Sequence, residues 1–166
     1  MSDLLYDTAI GYGNMENKGY NIVAGRKKKA HNIQIRFPLE AFFHLAGLQH
    51  LTDITFPSTN KERIYKEIIN GNITYDYIKN SVFFKKYNID ERLFNMNRIE
   101  EMLDSCFFLF LINHSEYITY TTIYADYLCE YTLPENKFDT LYLFSVKIST
   151  SKIKNECVGC SFFKKH

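Results

Sequence analysis

The sequence predicts a single α+β domain: an N-terminal β-hairpin, then several helices packed on one face of an antiparallel β-sheet. The chain has 166 residues, the usual size of one domain. It is 46% hydrophobic with 3 Pro and 7 Gly, which is typical of a globular chain. Helical patterns fill its first part and β patterns its second, and this segregation favours an α+β arrangement.

The N-terminal part is predicted to form a lead-in and a hairpin. Residues 1–19 are interpreted as a lead-in segment, loose or with a short helix, and residues 20–166 as the domain. Two β-type runs, Tyr20–Ala24 and Asn32–Phe37, flank a basic centre at Arg26–Lys29. Such a pair of runs around a polar centre predicts a β-hairpin.

Helical periodicity follows the hairpin. After Pro38, apolar residues recur at helical spacing and predict a continuous helix over residues 38–51. Thr59 or Asn60 can cap a second helix that stops at Gly71. Further helices are predicted over residues 74–80 and 90–105.

The second part of the chain reads as β structure. Its runs are dense in Tyr, Ile, Thr, Leu and Phe, residues enriched in strands. Strands are predicted over residues 107–112, 117–132, 138–148 and 158–163, with a turn at residues 133–137.

Composition and charge restrict the function. The net charge of +1 does not predict a broad positive field, so nucleic-acid binding has to be local. The longest apolar run, Cys106–Ile112, is too short to span a bilayer, and no secretion leader is seen at the start. We therefore expect a cytoplasmic protein with reduced cysteines and no membrane partner.

His44 is the leading candidate for chemistry. In the predicted helix, His44 and Gly47 lie on one stripe, and a glycine inside a helix costs about 1 kcal/mol relative to alanine. One explanation is access, since Gly47 leaves room for a ligand or another backbone beside the imidazole. The other is structural: Gly47 allows tight packing and His44 is a core histidine with its polar atoms satisfied.

The sequence predicts no metal and no cofactor. His44 and His50 are six residues apart, about 240° around a continuous helix, which does not suit a shared metal ion. Cys157 and Cys160 form a lone CxxC, interpreted as two small buried hydrophobes. P-loop, dinucleotide-binding and α/β-hydrolase motifs are not found.

The order of segments resembles a phage-associated family of predicted nucleases grouped with barnase, EndoU, colicin and RelE-type RNases. The resemblance rests on a hairpin ending in IQIRF, then FPLEAFFHLAGLQHLTDI, then KERIYKEIINGNITYDYIKNSVFF, then YADYL, YLFSV and a closing SFF. It runs from about Tyr20 to Phe163. Its sharpest element is F-x-H-L-x-G-L, here FFHLAGL from Phe42 to Leu48.

This resemblance implies an α+β fold. It also implies metal-independent RNA cleavage by attack of the ribose 2′-hydroxyl, the chemistry of a phage or toxin-type hydrolase, which would act in the host cytoplasm if it is phage-encoded. His44 is then the proton carrier, because histidine titrates near neutral pH. Ser161 is a second catalytic candidate, as a donor to phosphate. Chemistry type alone, without a matched motif, gives the substrate-binding candidates Arg36, Lys147, Lys164 and Gly47. The second proton carrier is not identified by the sequence.

A binding module is the alternative prediction. The near-neutral charge and the 13 Tyr and 14 Phe residues also fit a catalytically inactive nuclease-like fold that binds a host or phage protein, since aromatic residues are enriched at interfaces. RNA is the expected partner under the first hypothesis, and a protein under the second.

Overall fold

The computed structural model describes residues 3–26, 29–105, 107–112 and 123–165. Within these ranges the chain forms six α-helices and one six-stranded sheet. The helices are α1 (Leu4–Gly13), α2 (Phe42–Leu45), α3 (Lys61–Ile69), α4 (Tyr75–Lys79), α5 (Ile89–Met96) and α6 (Ile99–Asp104). The strands are β1 (Gly19–Arg26), β2 (Lys29–Arg36), β3 (Phe108–Leu111), β4 (Tyr127–Leu133), β5 (Asn136–Lys147) and β6 (Glu156–Lys165). None of the helices in these ranges has the length and apolar character needed to cross a bilayer.

The sheet has the strand order β1-β2-β6-β5-β4-β3. Strands β1 and β2 form the predicted hairpin, paired antiparallel from Gly19 opposite Arg36 to Arg26 opposite Lys29. Strands β3 to β6 pair antiparallel in turn. The exception is β2 and β6, which run parallel where Gln34–Arg36 faces Glu156–Val158. The α+β class and the hairpin are thus confirmed, with a sheet that is mostly antiparallel.

The helices cover one face of the sheet and form a common core with it. Side chains such as Ile35, Leu143 and Phe162 on the strands and Leu5 and Leu45 on the helices are fully buried there. The helical lead-in expected near the N-terminus is α1, whose buried residues belong to this same core. The domain boundary at residue 19 stays a prediction.

Helix α1 fixes the segment that carries His44. The Tyr12 hydroxyl donates a hydrogen bond to the Pro38 carbonyl at 2.8 Å. The Tyr12 ring also packs edge-on against Phe42 at 5.3 Å between ring centres. Beside Tyr12, the Tyr65 hydroxyl of α3 donates to the Ala9 carbonyl at 2.7 Å. These contacts hold the start of α2 against α1 and α3.

The continuous helix predicted over residues 38–51 is wrong. Helix α2 has only four residues, between 3-10 turns at Leu39–Ala41 and Leu48–His50. Gly47 has a φ of 76°, in the left-handed region, and its N–H bonds to the His44 carbonyl at 3.0 Å. A left-handed glycine is a common way to end a helix. The residues with apolar helical spacing do form a helix at Phe42–Leu45, but Gly47 prevents it from continuing to residue 51.

The remaining helices follow the sequence more closely. Asn60 caps α3 by accepting a hydrogen bond from the Arg63 N–H at 2.9 Å, and Gly71 follows the helix with a φ of 76°. The single helix predicted over residues 90–105 is instead α5 and α6. Between them the Arg98 N–H bonds to the Asn95 carbonyl at 2.9 Å, an i to i−3 bond that tightens and ends the α-helix.

The β-rich half also matches the sequence in outline. Strands β3, β5 and β6 lie at the predicted positions. Of the strand predicted over residues 117–132, the structure shows β4 beginning at Tyr127, and residues 113–122 lie outside the described ranges.

Candidate functional site

His44 lies in the last turn of α2, on the side turned away from the core. The next residue, Leu45, is fully buried against β6, where a Cβ on Gly159 would lie 3.4 Å from the Leu45 side chain. His44 itself is partly exposed and contacts the Phe43 ring edge-on at 5.8 Å between centres. Burial lowers the pKa of His44, and the charge of Lys61 lowers that pKa further. At neutral pH the imidazole is therefore mostly uncharged and able to accept a proton.

The charge of His44 contributes to the lowered pKa of His50. The His50 ring stacks on Tyr87 with 4.3 Å between ring centres and 15° between planes. Burial lowers the pKa of His50, and the charges of Arg92 and His44 act in the same direction. The left-handed turn at Gly47 brings this second histidine into the neighbourhood of the first.

The predicted separation of the two histidines by 240° does not hold, because it assumed a continuous helix. No cluster of three or more His, Cys, Asp or Glu side chains able to hold a metal ion occurs in the described part of the chain. Metal independence stays a prediction about the chemistry.

Gly47 makes room for an arginine. A Cβ at Gly47 would lie 3.0 Å from the Arg92 Cδ and 3.0 Å from the Ile89 Cδ1. That is closer than ordinary van der Waals contact, so the neighbouring side chains of α5 would have to move. Gly47 thus combines a left-handed backbone with a close approach of Arg92, and its contact with substrate stays a prediction.

Arg92 is partly buried and is held by main-chain oxygens. Its Nε donates to the Tyr87 carbonyl at 3.2 Å, and its Nη1 donates to the Phe162 carbonyl at 3.1 Å. The guanidinium carbon lies 5.7 Å from the centre of the Phe163 ring. Burial lowers the pKa of Arg92, but a guanidinium stays charged at neutral pH.

Arg92 has no carboxylate partner among the described residues. A guanidinium has five N–H donors, and the two carbonyl bonds use two of them. The donors left over and the uncompensated charge suit an anion. An oxygen-rich anion such as phosphate matches the planar fork of an arginine.

A cleft of about 230 Å³ opens beside Arg92. It is lined by Lys86, Tyr87, Asn88, Glu91, Arg92, Phe163 and Lys164. The Lys86 ammonium lies 5.4 Å from the centre of the Tyr87 ring. Lys164 bonds to Glu91 at 3.0 Å and to Asp139 at 3.3 Å. Desolvation opposes the charge of Lys164, but these carboxylates outweigh it and raise its pKa.

The structure brings some of the predicted site residues together and separates others. Gly47 borders Arg92, and Lys164 lines the cleft beside Arg92. His44 and His50 are not among the described residues that line this cleft, although the Arg92 charge lowers the pKa of His50. Ser161 lies on β6 opposite Phe144, next to an irregularity in the pairing with β5.

Arg36 and Lys147 lie near the start of β6, opposite Val158 and Cys157. Seven strand residues separate Cys157 from Lys164, about 23 Å at ~3.3 Å per residue. Arg36 is also ion-paired with Glu156 at 2.7 Å. Their predicted roles in binding the substrate stay predictions, for a region remote from the cleft.

Sequence reasoning did not find Arg92, Tyr87 or Lys86. No motif surrounds them, and they lie about 40 residues after His44 in the chain. The one signal was the unexplained glycine at position 47, which pointed to a close neighbour without identifying it.

The CxxC pair is unlike a redox or metal site. Cys157 and Cys160 lie on strand β6 and are free thiols. Burial raises the pKa of Cys157 to about 11 and that of Cys160 to about 11. Both thiols therefore stay protonated and weakly nucleophilic at neutral pH.

Comparison of the sequence with known protein families identifies the family of the chain. The sequence model of the phage-Barnase-EndoU-ColicinE5/D-RelE like nuclease4 family matches residues 4–165. The chain belongs to this family. The match confirms the resemblance seen in the order of segments, and it gives the protein a nuclease-like domain. Comparisons with curated proteins and with solved structures give no match.

Proposed function

We propose that this protein is a metal-independent ribonuclease in which His44 carries a proton. The observation that supports this most directly is the environment of His44, a partly exposed imidazole with a lowered pKa. Arg92 packs against Gly47, three residues after His44, and has no carboxylate partner among the described residues. Membership of a nuclease-like family makes nucleic acid the substrate class to consider first.

The proposed reaction is a transesterification within RNA. Neutral His44 removes the proton from a ribose 2′-hydroxyl, whose oxygen then bonds to the adjacent phosphorus. The bond from phosphorus to the 5′-oxygen breaks, and that oxygen takes a proton from a general acid. The products are a 2′,3′-cyclic phosphate and a free 5′-hydroxyl, so atoms and charges balance.

His50 is the proposed second proton carrier. It is coupled electrostatically to both His44 and Arg92, and its stacking on Tyr87 fixes the plane of its ring. The cation of Arg92 lowers the pKa of His50, and a bound phosphate would offset that effect. His50 would then be protonated more readily in the substrate complex, as a general acid requires.

Arg92 supplies the proposed charge stabilisation. Its guanidinium is positioned by two main-chain carbonyls and needs no rearrangement when negative charge develops on the phosphorus oxygens. Lys86 adds positive charge along the same cleft. Lys164 is paired with Glu91 and Asp139 and stays a proposed substrate-binding residue. Ser161 stays a proposed donor to phosphate.

The test is RNA cleavage by the full chain in the presence of EDTA. His44→Ala and His44→Gln should each lower kcat/KM by about 100-fold or more, the usual contribution of a general base. Phe94→Ala, which removes an exposed ring from α5, is the matched control and should keep wild-type activity. Activity that is equal in wild type and His44→Ala, or that depends on added metal, would contradict the proposal.

A catalytically inactive nuclease-like fold that binds a protein is the second candidate. Strand β3 favours it, because Phe108, Phe110 and Leu111 are exposed side by side at an edge of the sheet. Such an apolar edge is typical of a surface that pairs with another chain. Absence of RNA cleavage, together with salt-resistant binding of a host or phage protein that Phe108→Glu abolishes, would favour this candidate.

A further inference from the structure

One end of the sheet forms a basic trough, remote from the Arg92 cleft. Its volume is about 700 Å³, within the range of roughly 300–1,000 Å³ typical of ligand sites. His31 on β2, Tyr127 on β4 and Lys147 on β5 line it, together with Lys154 and Asn155 from the turn that leads into β6. The trough and the cleft share none of their described lining residues.

The trough carries positive charge. Lys147 lies on β5 and Lys154 in the turn before β6, and none of the lining residues that the structure describes is Asp or Glu. Neither Lys147 nor Lys154 takes part in a salt bridge with the described residues. The Lys147 ammonium lies 5.3 Å from the centre of the Tyr127 ring, which places it over the floor of the trough.

Asp126 and Glu156 are carboxylates close to the trough. Asp126 accepts a hydrogen bond from the Lys147 main-chain N–H at 2.7 Å and keeps its negative charge. Glu156 is ion-paired with Arg36 at 2.7 Å. Among the described residues, neither carboxylate forms a salt bridge with Lys147 or Lys154.

Lys152 adds to this charge, because it belongs to the same turn as Lys154. The whole chain has a net charge of only +1, so this concentration of cations is a local property. Local positive charge of this kind attracts polyanions and is screened by salt.

We propose that the trough is a second phosphate-binding site, which holds the backbone of an RNA strand at a distance from the Arg92 cleft. Lysines bind phosphate as point charges, and the Asn155 side chain offers amide donors. Exposed Leu111 and Ile153 at the rim provide apolar contact for bases. RNA as the ligand rests on the proposed function, but binding in the trough does not require that the chain cleaves it.

The trough should contribute to affinity and not to the chemical step. The trough lies at the start of β6 and the Arg92 cleft at the end, so the two should hold different phosphates of one strand. Loss of its lysines should raise KM while kcat stays unchanged, because the interaction is the same in the ground state and the transition state.

The experiment measures binding of a fluorescein-labelled single-stranded RNA by fluorescence anisotropy across a salt series. The double variant Lys147→Ala/Lys154→Ala should raise Kd at least tenfold and lower the slope of log Kd against log salt by about 1.4, as expected for two phosphates on a single strand. The matched control, Lys79→Ala/Lys137→Ala, removes the same charge from exposed lysines elsewhere and should change binding much less.

The outcomes separate this proposal from the proposed function. RNA that is bound through Lys147 and Lys154 but never cleaved supports the trough and rejects the ribonuclease. Equal loss of binding in both double variants overturns the trough. A collapse of kcat with unchanged KM also overturns it, because it would place the chemistry there. Binding of polyglutamate in preference to RNA overturns it in favour of an acidic protein ligand.

Discussion

Replacement of Gly47 by alanine tests how the histidine segment and Arg92 are fitted together, and Gly71 provides a matched control. Both glycines have a φ of 76°. A non-glycine residue in that conformation costs roughly 1–2 kcal/mol. The two positions differ in their surroundings, since a Cβ at Gly71 meets nothing within 4 Å whereas one at Gly47 lies 3.0 Å from both Arg92 and Ile89.

The expected magnitudes follow from this difference. Gly71→Ala should lower the free energy of unfolding by about 1 kcal/mol, since the backbone strain is partly offset by roughly 0.4–1 kcal/mol from a less flexible unfolded chain. Gly47→Ala carries the same strain and an added crowding cost of about 1–3 kcal/mol. It should therefore destabilise the protein by about 2–4 kcal/mol.

The assay is equilibrium unfolding in urea, followed by far-UV circular dichroism, for wild type and both variants. Equal m-values would show that the change lies in stability and not in the extent of unfolding. If Gly47→Ala costs no more than Gly71→Ala, the close approach of Arg92 is not a real constraint. A glycine at position 47 would then not be needed to accommodate the Arg92 side chain.

Two further predictions concern the same cluster. Arg92→Lys should lower the free energy of unfolding by about 1–3 kcal/mol, because a lysine cannot reach both main-chain carbonyls and leaves a partly buried acceptor unpaired. Arg92→Lys should also lower the rate of RNA cleavage under conditions in which the variant is fully folded. Wild-type cleavage by the folded variant would argue against charge stabilisation by Arg92. The pKa values of His44 and His50 are both lowered in the folded state. Below about pH 6.5 the unfolded chain therefore binds more protons than the folded chain, and the free energy of unfolding decreases as the pH is lowered. The double variant His44→Gln/His50→Gln should flatten this dependence in urea titrations from pH 7.5 to 5, and an unchanged slope would refute the assigned burial.

The fold could be predicted from the sequence where local signals act alone. The hairpin, the cap of α3 and most strands depend on short-range patterns, and they appear where those patterns place them. The helix over residues 38–51 was predicted as continuous because a glycine can lie inside a helix or end it in the left-handed conformation, and the local pattern does not decide between the two. The parallel pairing of β2 with β6 joins segments about 120 residues apart and leaves no local trace.

The candidate site was predictable in part for the same reason. His44 could be singled out because histidine carries its own chemistry and Gly47 stood beside it. Arg92 resembles any other arginine on an amphipathic helix in the sequence. Its distinction lies in two main-chain carbonyls and a missing carboxylate partner, which only the folded chain reveals.

The two hydrogen bonds of Arg92 also have a consequence for solubility. Strand β6 continues past its short pairing with β2, so Gly159–Lys165 has a neighbouring strand only at β5 within the described residues. A strand with one open side is a template for pairing with another molecule. The Arg92 guanidinium donates a hydrogen bond to the Phe162 carbonyl in this stretch, so that carbonyl is already occupied when another strand approaches. A change that removes Arg92 should therefore expose the protein to self-association as well as to loss of activity.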